Sequence, residues 1–132
     1  MIKCNLKRVG FLLITVVLYC YSAKAQPVIE TVKATDMKKA MDSESGVVVL
    51  DVRRPTEIVV GRIPGAENID IRQDEFWLKF KVLNKDKKYY VYCNNDGRST
   101  SAARVMKQMG FKNVYNLRGG IAAWKSEGYL LE

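Results

Sequence analysis

Most of the chemistry this sequence offers sits in one stretch, Cys93-Asn94-Asn95-Asp96-Gly97-Arg98-Ser99. A thiol stands there between a β-branched run and a helical pattern, at the mouth of a short loop. Asn94, Asn95 and Gly97 tolerate left-handed backbone, so the loop amides can curl towards one point. The positive end of the following helix adds to that field, and Arg98 brings a full charge to the end of the loop. These features favour the thiolate, which is the nucleophilic form of cysteine. A thiol ionised by its surroundings needs no histidine base. The chain has no histidine at all, which excludes a Ser-His-Asp triad, a Cys-His pair and an HExxH zinc site. Ser99 reads as a helix cap whose hydroxyl can also reach the sulfur. A second polar strand end, Asp51-Val52-Arg53, supplies an ion pair suited to supporting the loop. Arg118, just before Gly119-Gly120, is either a rim residue that attracts an anion or a plain surface arginine.

These residues need elements to position them. Short β-branched runs alternate with helical patterns, which predicts an α/β domain with a mainly parallel sheet. Strands are expected over residues 28–32, 47–51, 67–71, 89–93 and 114–117. Helices are expected over 36–42 with Thr35 as cap, 74–83, 99–109 and 121–127, with a short helical turn from Pro55 to Val60. In open parallel sheets ligands sit beyond the carboxyl ends of the strands, where both polar strand ends fall. The Met37/Met41 and Met106/Met109 pairs have helical spacing and read as core.

Residues 1–25 have a different character. Lys3, Lys7 and Arg8 open the chain without an acid, an uncharged apolar run follows from Val9 to Tyr21, and Ala23-Lys24-Ala25 closes it. This order of basic, apolar and small residues is that of a secretory signal cleaved after Ala25. The run of 13 residues is short for a bilayer crossing, which needs roughly 20. The formal charge of +8 includes four basic residues and no acid from this segment, so residues 26–132 carry +4. That modest excess argues against nucleic acid as a partner. A membrane is involved only if the signal stays uncleaved. Of the three cysteines, Cys4 and Cys20 also fall in the signal, which leaves Cys93 as the lone thiol of a protein expected to be exported to a periplasmic or other extracytoplasmic space. A lone thiol belongs to no disulfide framework and to no four-thiolate metal site.

The quoted stretches resemble the rhodanese (sulfurtransferase) family. Asp51-Val52-Arg53, Glu57 and Gly61-Arg62-Ile63-Pro64-Gly65-Ala66-Glu67-Asn68-Ile69 look like its first motif. Tyr92-Cys93, Arg98-Ser99, Ala102-Ala103, Gly110-Phe111 and Val114-Tyr115-Asn116-Leu117 look like its active-loop strand, helix and last strand. Gly119-Gly120-Ile121 with Trp124 looks like its C-terminal motif. The resemblance spans roughly residues 28–128. It implies a rhodanese-like domain over 26–132, with a five-stranded mainly parallel sheet and helices on both faces. It implies a sulfurtransferase in which Cys93 accepts a sulfane sulfur as a persulfide, from a donor such as thiosulfate, and passes it to a thiol or other nucleophile. Residues 94–99 would hold the persulfide and the donor, with no metal or organic cofactor.

Four residues separate Cys93 from Arg98, the count of sulfur-transferring members. Related phosphatases and arsenate reductases use a loop one residue longer, which surrounds a tetrahedral oxyanion. The chain departs from the family at Arg62, where histidine is usual, and at Asp96, which occupies the usual glycine position while glycine falls at Gly97. An acid beside the thiolate would oppose its formation and repel anionic donors if it pointed inward, and matter little if it faced solvent. On the inward reading Asp96→Gly is expected to raise activity with such donors. The alternatives to catalysis are a non-catalytic binding module that uses the same loop face, and a thiol-redox carrier.

Overall fold

A computed structural model describes residues 26–132; the expected signal segment, residues 1–25, lies outside the described residues. Five strands, β1 (Glu30–Val32), β2 (Val47–Asp51), β3 (Glu67–Asn68), β4 (Lys88–Tyr92) and β5 (Asn113–Leu117), interleave with five helices. These are α1 (Ala34–Ser43), α2 (Pro55–Ile58), α3 (Phe76–Lys81), α4 (Gly97–Gln108) and α5 (Gly120–Ser126). The strands form one sheet in the order β1-β5-β4-β2-β3, with every neighbouring pair parallel.

The continuous apolar runs of β2 and β4 follow from burial on both faces. Side chains alternate across the sheet with period two. Leu50, Val91, Cys93 and Val114 face Phe80 of α3 and Ala102, Ala103 and Met106 of α4. Val49, Tyr90, Tyr92 and Leu117 face Met37 and Ala40 of α1 and Ile121 and Trp124 of α5. Burying each large side chain of these layers contributes about 1.5–3 kcal/mol. Met37 and Met106 are buried in the core, and Met41 and Met109 pack against it partly buried, on the faces their spacing predicts. Tyr90 stacks on Tyr115 and Tyr89 meets Phe111 edge-on, each with centroids 5.3 Å apart.

Element ends differ from the sequence expectations for identifiable reasons. The first bond of α1 runs from the Met37 N–H to the Lys33 carbonyl, so the helix starts at Ala34 and Thr35 lies inside it without capping. The strand expected over 67–71 stops at Asn68. Past it only the Ile69 and Ile71 N–H groups still reach the Asp51 and Val52 carbonyls, at 2.9 and 3.4 Å, while Asn68 Nδ2 donates to the carbonyls of Asp51 and Arg53 at 2.8 and 2.9 Å and turns the chain out of the sheet. α3 is shorter than 74–83 because i+3 bonds, Phe76 to Gln73 and Leu83 to Phe80, tighten both of its ends. α4 starts at Gly97, two residues before Ser99, which places Ser99 inside the helix rather than at its cap.

Candidate active site

Three segments meet at the carboxyl ends of β2 and β4. β4 delivers Cys93, whose side chain is fully buried. The loop Asn94–Asp96 follows, and α4 begins at Gly97. Ser99 is buried against the thiol, with Oγ 3.4 Å from Cys93 Sγ and 3.2 Å from the Asp96 carbonyl, to which it donates.

The loop takes its shape from the start of α5. The Ile121 and Ala122 N–H groups donate to the carbonyls of Cys93 and Asn94 at 2.9 and 3.3 Å. A trans peptide points its N–H opposite to its C=O. The N–H groups of Asn94 and Asn95 therefore point away from α5. Neither these two nor those of Gly97, Arg98 and Ser99 has an acceptor among the described residues. The chain thus presents five free amide donors after Cys93, the only thiol among the described residues, at the positive end of a twelve-residue helix.

Asp96 takes neither orientation considered from the sequence. Its carboxylate turns back behind the loop, where Oδ1 accepts from Asn116 Nδ2 at 3.0 Å and both oxygens accept from the Gly119 N–H at 3.1 and 3.2 Å. The inward-pointing carboxylate that motivated the Asp96→Gly expectation is therefore absent from this geometry. Asp96 fastens the loop to the β5–α5 turn.

Arg98 is likewise engaged. Nη1 and Nη2 clamp the two oxygens of Glu57 at 2.6 and 2.7 Å, and Asn94 Nδ2 donates to Glu57 Oε1 at 2.8 Å. The Arg54 N–H adds a fourth bond at 3.0 Å. The bidentate Arg98 contact, helped by the Arg54 and Asn94 donors, lowers the Glu57 carboxyl to about 2. The same contact, together with the nearby Cys93, raises Arg98 above its ordinary value. Glu57 is thus a site residue that motif reading quoted without assigning it a role. The available signal was Arg98 itself, since a cation at a helix N-terminus is unfavourable and calls for a carboxylate opposite it.

Asp51 and Arg53 form an ion pair with each other. Both are buried, Arg53 Nη2 lies 2.6 Å from Asp51 Oδ2, and Nε bridges the carboxylate oxygens at 3.0 and 3.1 Å. Arg53 also donates to the Gly61 carbonyl at 2.9 Å, tying the end of β2 to the segment after α2. Burial acts to lower the Arg53 value, but the Asp51 carboxylate outweighs it and the net shift is upward. Tyr92 joins this group. Burial first, and then Asp51, push its phenol upward, and its oxygen accepts the Ile63 N–H at 3.0 Å. Arg118 stands apart from the site: it is exposed and donates to Thr31 Oγ1 of β1 at 3.1 Å.

Fold and site together define a class: a three-layer parallel α/β domain with a cysteine loop at the carboxyl edge of its sheet. A family model for the rhodanese-like domain matches residues 33–127, and the chain belongs to that family. A protein named "Sulfurtransferase" from Allochromatium vinosum is 29% identical over 100 residues, which cover 76% of this chain and 92% of that protein. "Thiosulfate sulfurtransferase GlpE" of Pseudomonas aeruginosa is 36% identical over 83 residues, covering 63% and 74%. The crystal structure of a rhodanese-related protein from Thermoplasma volcanium superimposes with a TM-score of 0.69 at 36% identity, over 78% of this chain and 97% of that one.

Proposed function

We propose that this chain is a sulfurtransferase that works through a persulfide on Cys93. The observation that carries the reading is the buried Cys93 thiol followed by five backbone N–H groups without an acceptor among the described residues, at the start of α4. In this scheme the Cys93 thiolate attacks the outer sulfur of a donor such as thiosulfate or a low-molecular-weight persulfide. The S–S bond of the donor breaks, and sulfite or a thiolate leaves with the electron pair. The resulting Cys93–S–S⁻ anion is held by the loop amides and by the Ser99 hydroxyl, which turns from the Asp96 carbonyl towards the sulfur. A thiolate acceptor, on a small molecule or a protein, then attacks the outer sulfur and restores Cys93. Relatives that carry sulfurtransferase names support a sulfur donor and a sulfur acceptor as the partners. The sequence of residues 1–25 supports export with cleavage after Ala25, so mature protein is expected to begin at Gln26, which N-terminal mass mapping reads.

A second reading is favoured by one observation. Cys93 has no exposed surface, as expected of a binding module whose loop has closed over an inert thiol. One experiment separates the two. Protein incubated with thiosulfate or a persulfide donor is expected to gain the mass of one sulfur, to lose it on reduction, and to gain nothing as Cys93→Ser. No gain with either donor class rejects transfer and leaves the binding module.

A further inference from the structure

We infer that Glu57 is a specificity-determining residue that steers this site away from small dianionic donors and towards donors carrying a positive group. The inference rests on the sulfur-transfer reading above and names the donor class for that same site.

Arg98 is the cation placed to meet an anionic donor at the loop, and its guanidinium edge is occupied by Glu57. Both partners are only partly exposed, at 20% and 25%. The contact is the planar two-point fit that arginine makes with a carboxylate, and a dianion such as thiosulfate would need that same edge. Asn94 is drawn to the carboxylate as well, so Glu57 bridges α2 to both ends of the cysteine loop. Arg53 cannot substitute for Arg98, because Asp51 and the Gly61 carbonyl hold it. Arg118 is tethered to Thr31 on β1. Asp96 sits behind the loop with its own negative charge, bound by neutral donors only. The charged side chains bonded to or within the loop are thus Arg98, Glu57 and Asp96, which sum to a net negative charge, and the positive field comes from the amides and the α4 terminus alone. A dianionic donor must displace the Glu57 carboxylate or approach it unpaired. A donor with an ammonium group gains a partner.

The test compares two donors on the intact protein: thiosulfate, and the persulfide of cysteamine, which carries an ammonium. In each case the Cys93 thiolate takes the outer sulfur, and sulfite or the cysteamine thiolate leaves. Glu57→Gln is expected to raise kcat/KM for thiosulfate roughly tenfold, chiefly through KM, and to lower it several-fold for cysteamine persulfide. Glu57→Asp keeps the charge and is expected to keep the wild-type donor ranking. A purely structural role would lower both donors alike in both variants. Parallel changes with the two donors, or the same ranking in Gln and Asp variants, overturn the inference while sulfur transfer stands. A wild-type protein that forms no Cys93 persulfide with either donor overturns both.

Discussion

Gly120 stands directly against the backbone of Cys93. A methyl group on its α-carbon would overlap the Cys93 carbonyl oxygen and lie 2.7 Å from the carbonyl of Asn94. Its φ of +58° is a left-handed value that L side chains rarely adopt. Glycine here lets the start of α5 come close enough for the Ile121 N–H to reach the Cys93 carbonyl. Gly120→Ala is expected to destabilise the protein by about 2–4 kcal/mol, combining backbone strain and overlap. Urea unfolding measures the loss, and a change within about 0.5 kcal/mol would show that α5 does not define the loop.

The carboxylate of Asp96 accepts from Asn116 and Gly119, so removing it unfastens the loop rather than relieving repulsion at the sulfur. Asp96→Gly is expected to slow persulfide formation roughly tenfold with any donor, because a misplaced cradle loses its alignment. Asp96→Asn keeps one acceptor oxygen and should lie between. Single-turnover mass kinetics read the rates. Faster transfer from thiosulfate in Asp96→Gly would revive the simple electrostatic role.

Arg53 closes a buried pair with Asp51, and both side chains lie out of solvent. Arg53→Ala would leave the Asp51 charge buried without its partner. The expected cost is about 3–5 kcal/mol, measured by denaturant unfolding at neutral pH. Asp51→Asn/Arg53→Met, which removes both charges, should be milder than Arg53→Ala alone. A double variant as unstable as the single one would mean that packing, not the unpaired charge, carries the effect.

Acid stability follows from Glu57. Its folded value of about 2 lies below its ordinary 4.5, so its contribution is present above about pH 4.5 and fades as the pH falls towards 2. The pair touches solvent, which discounts the effect to about 1 kcal/mol. Stability measured from pH 6 to pH 2 should therefore fall less steeply in Glu57→Gln than in wild type. Equal slopes would show that Glu57 and Arg98 are not paired in solution.

Much of this architecture was legible from residue order. The apolar runs at Val47–Leu50 and Tyr89–Tyr92 announced buried parallel strands, and the helical spacing of Met37/Met41 and Met106/Met109 announced helices packed on them. The thiol at a strand end before Asn-Asn-Asp-Gly-Arg marked the candidate site. Element ends were less legible, because they depend on single bonds such as Asn68 to the Asp51 carbonyl, which no local pattern encodes.

By itself the sequence determined the α/β class, a single thiol within residues 26–132, the absence of histidine and the Asp51–Arg53 pair. Each of these depends on composition, on local pattern or on residues two apart in the chain. Only the tertiary structure decided where the charges of the loop go. Glu57 reaches Arg98 across 41 positions, Asn116 reaches Asp96 across 20, and the start of α5 seats itself on the Cys93 carbonyl. A side-chain charge has no direction in a sequence. It acquires one when the fold brings a partner within hydrogen-bonding distance, and here that step turned an arginine and an aspartate that read as ligands into the fastenings of the loop.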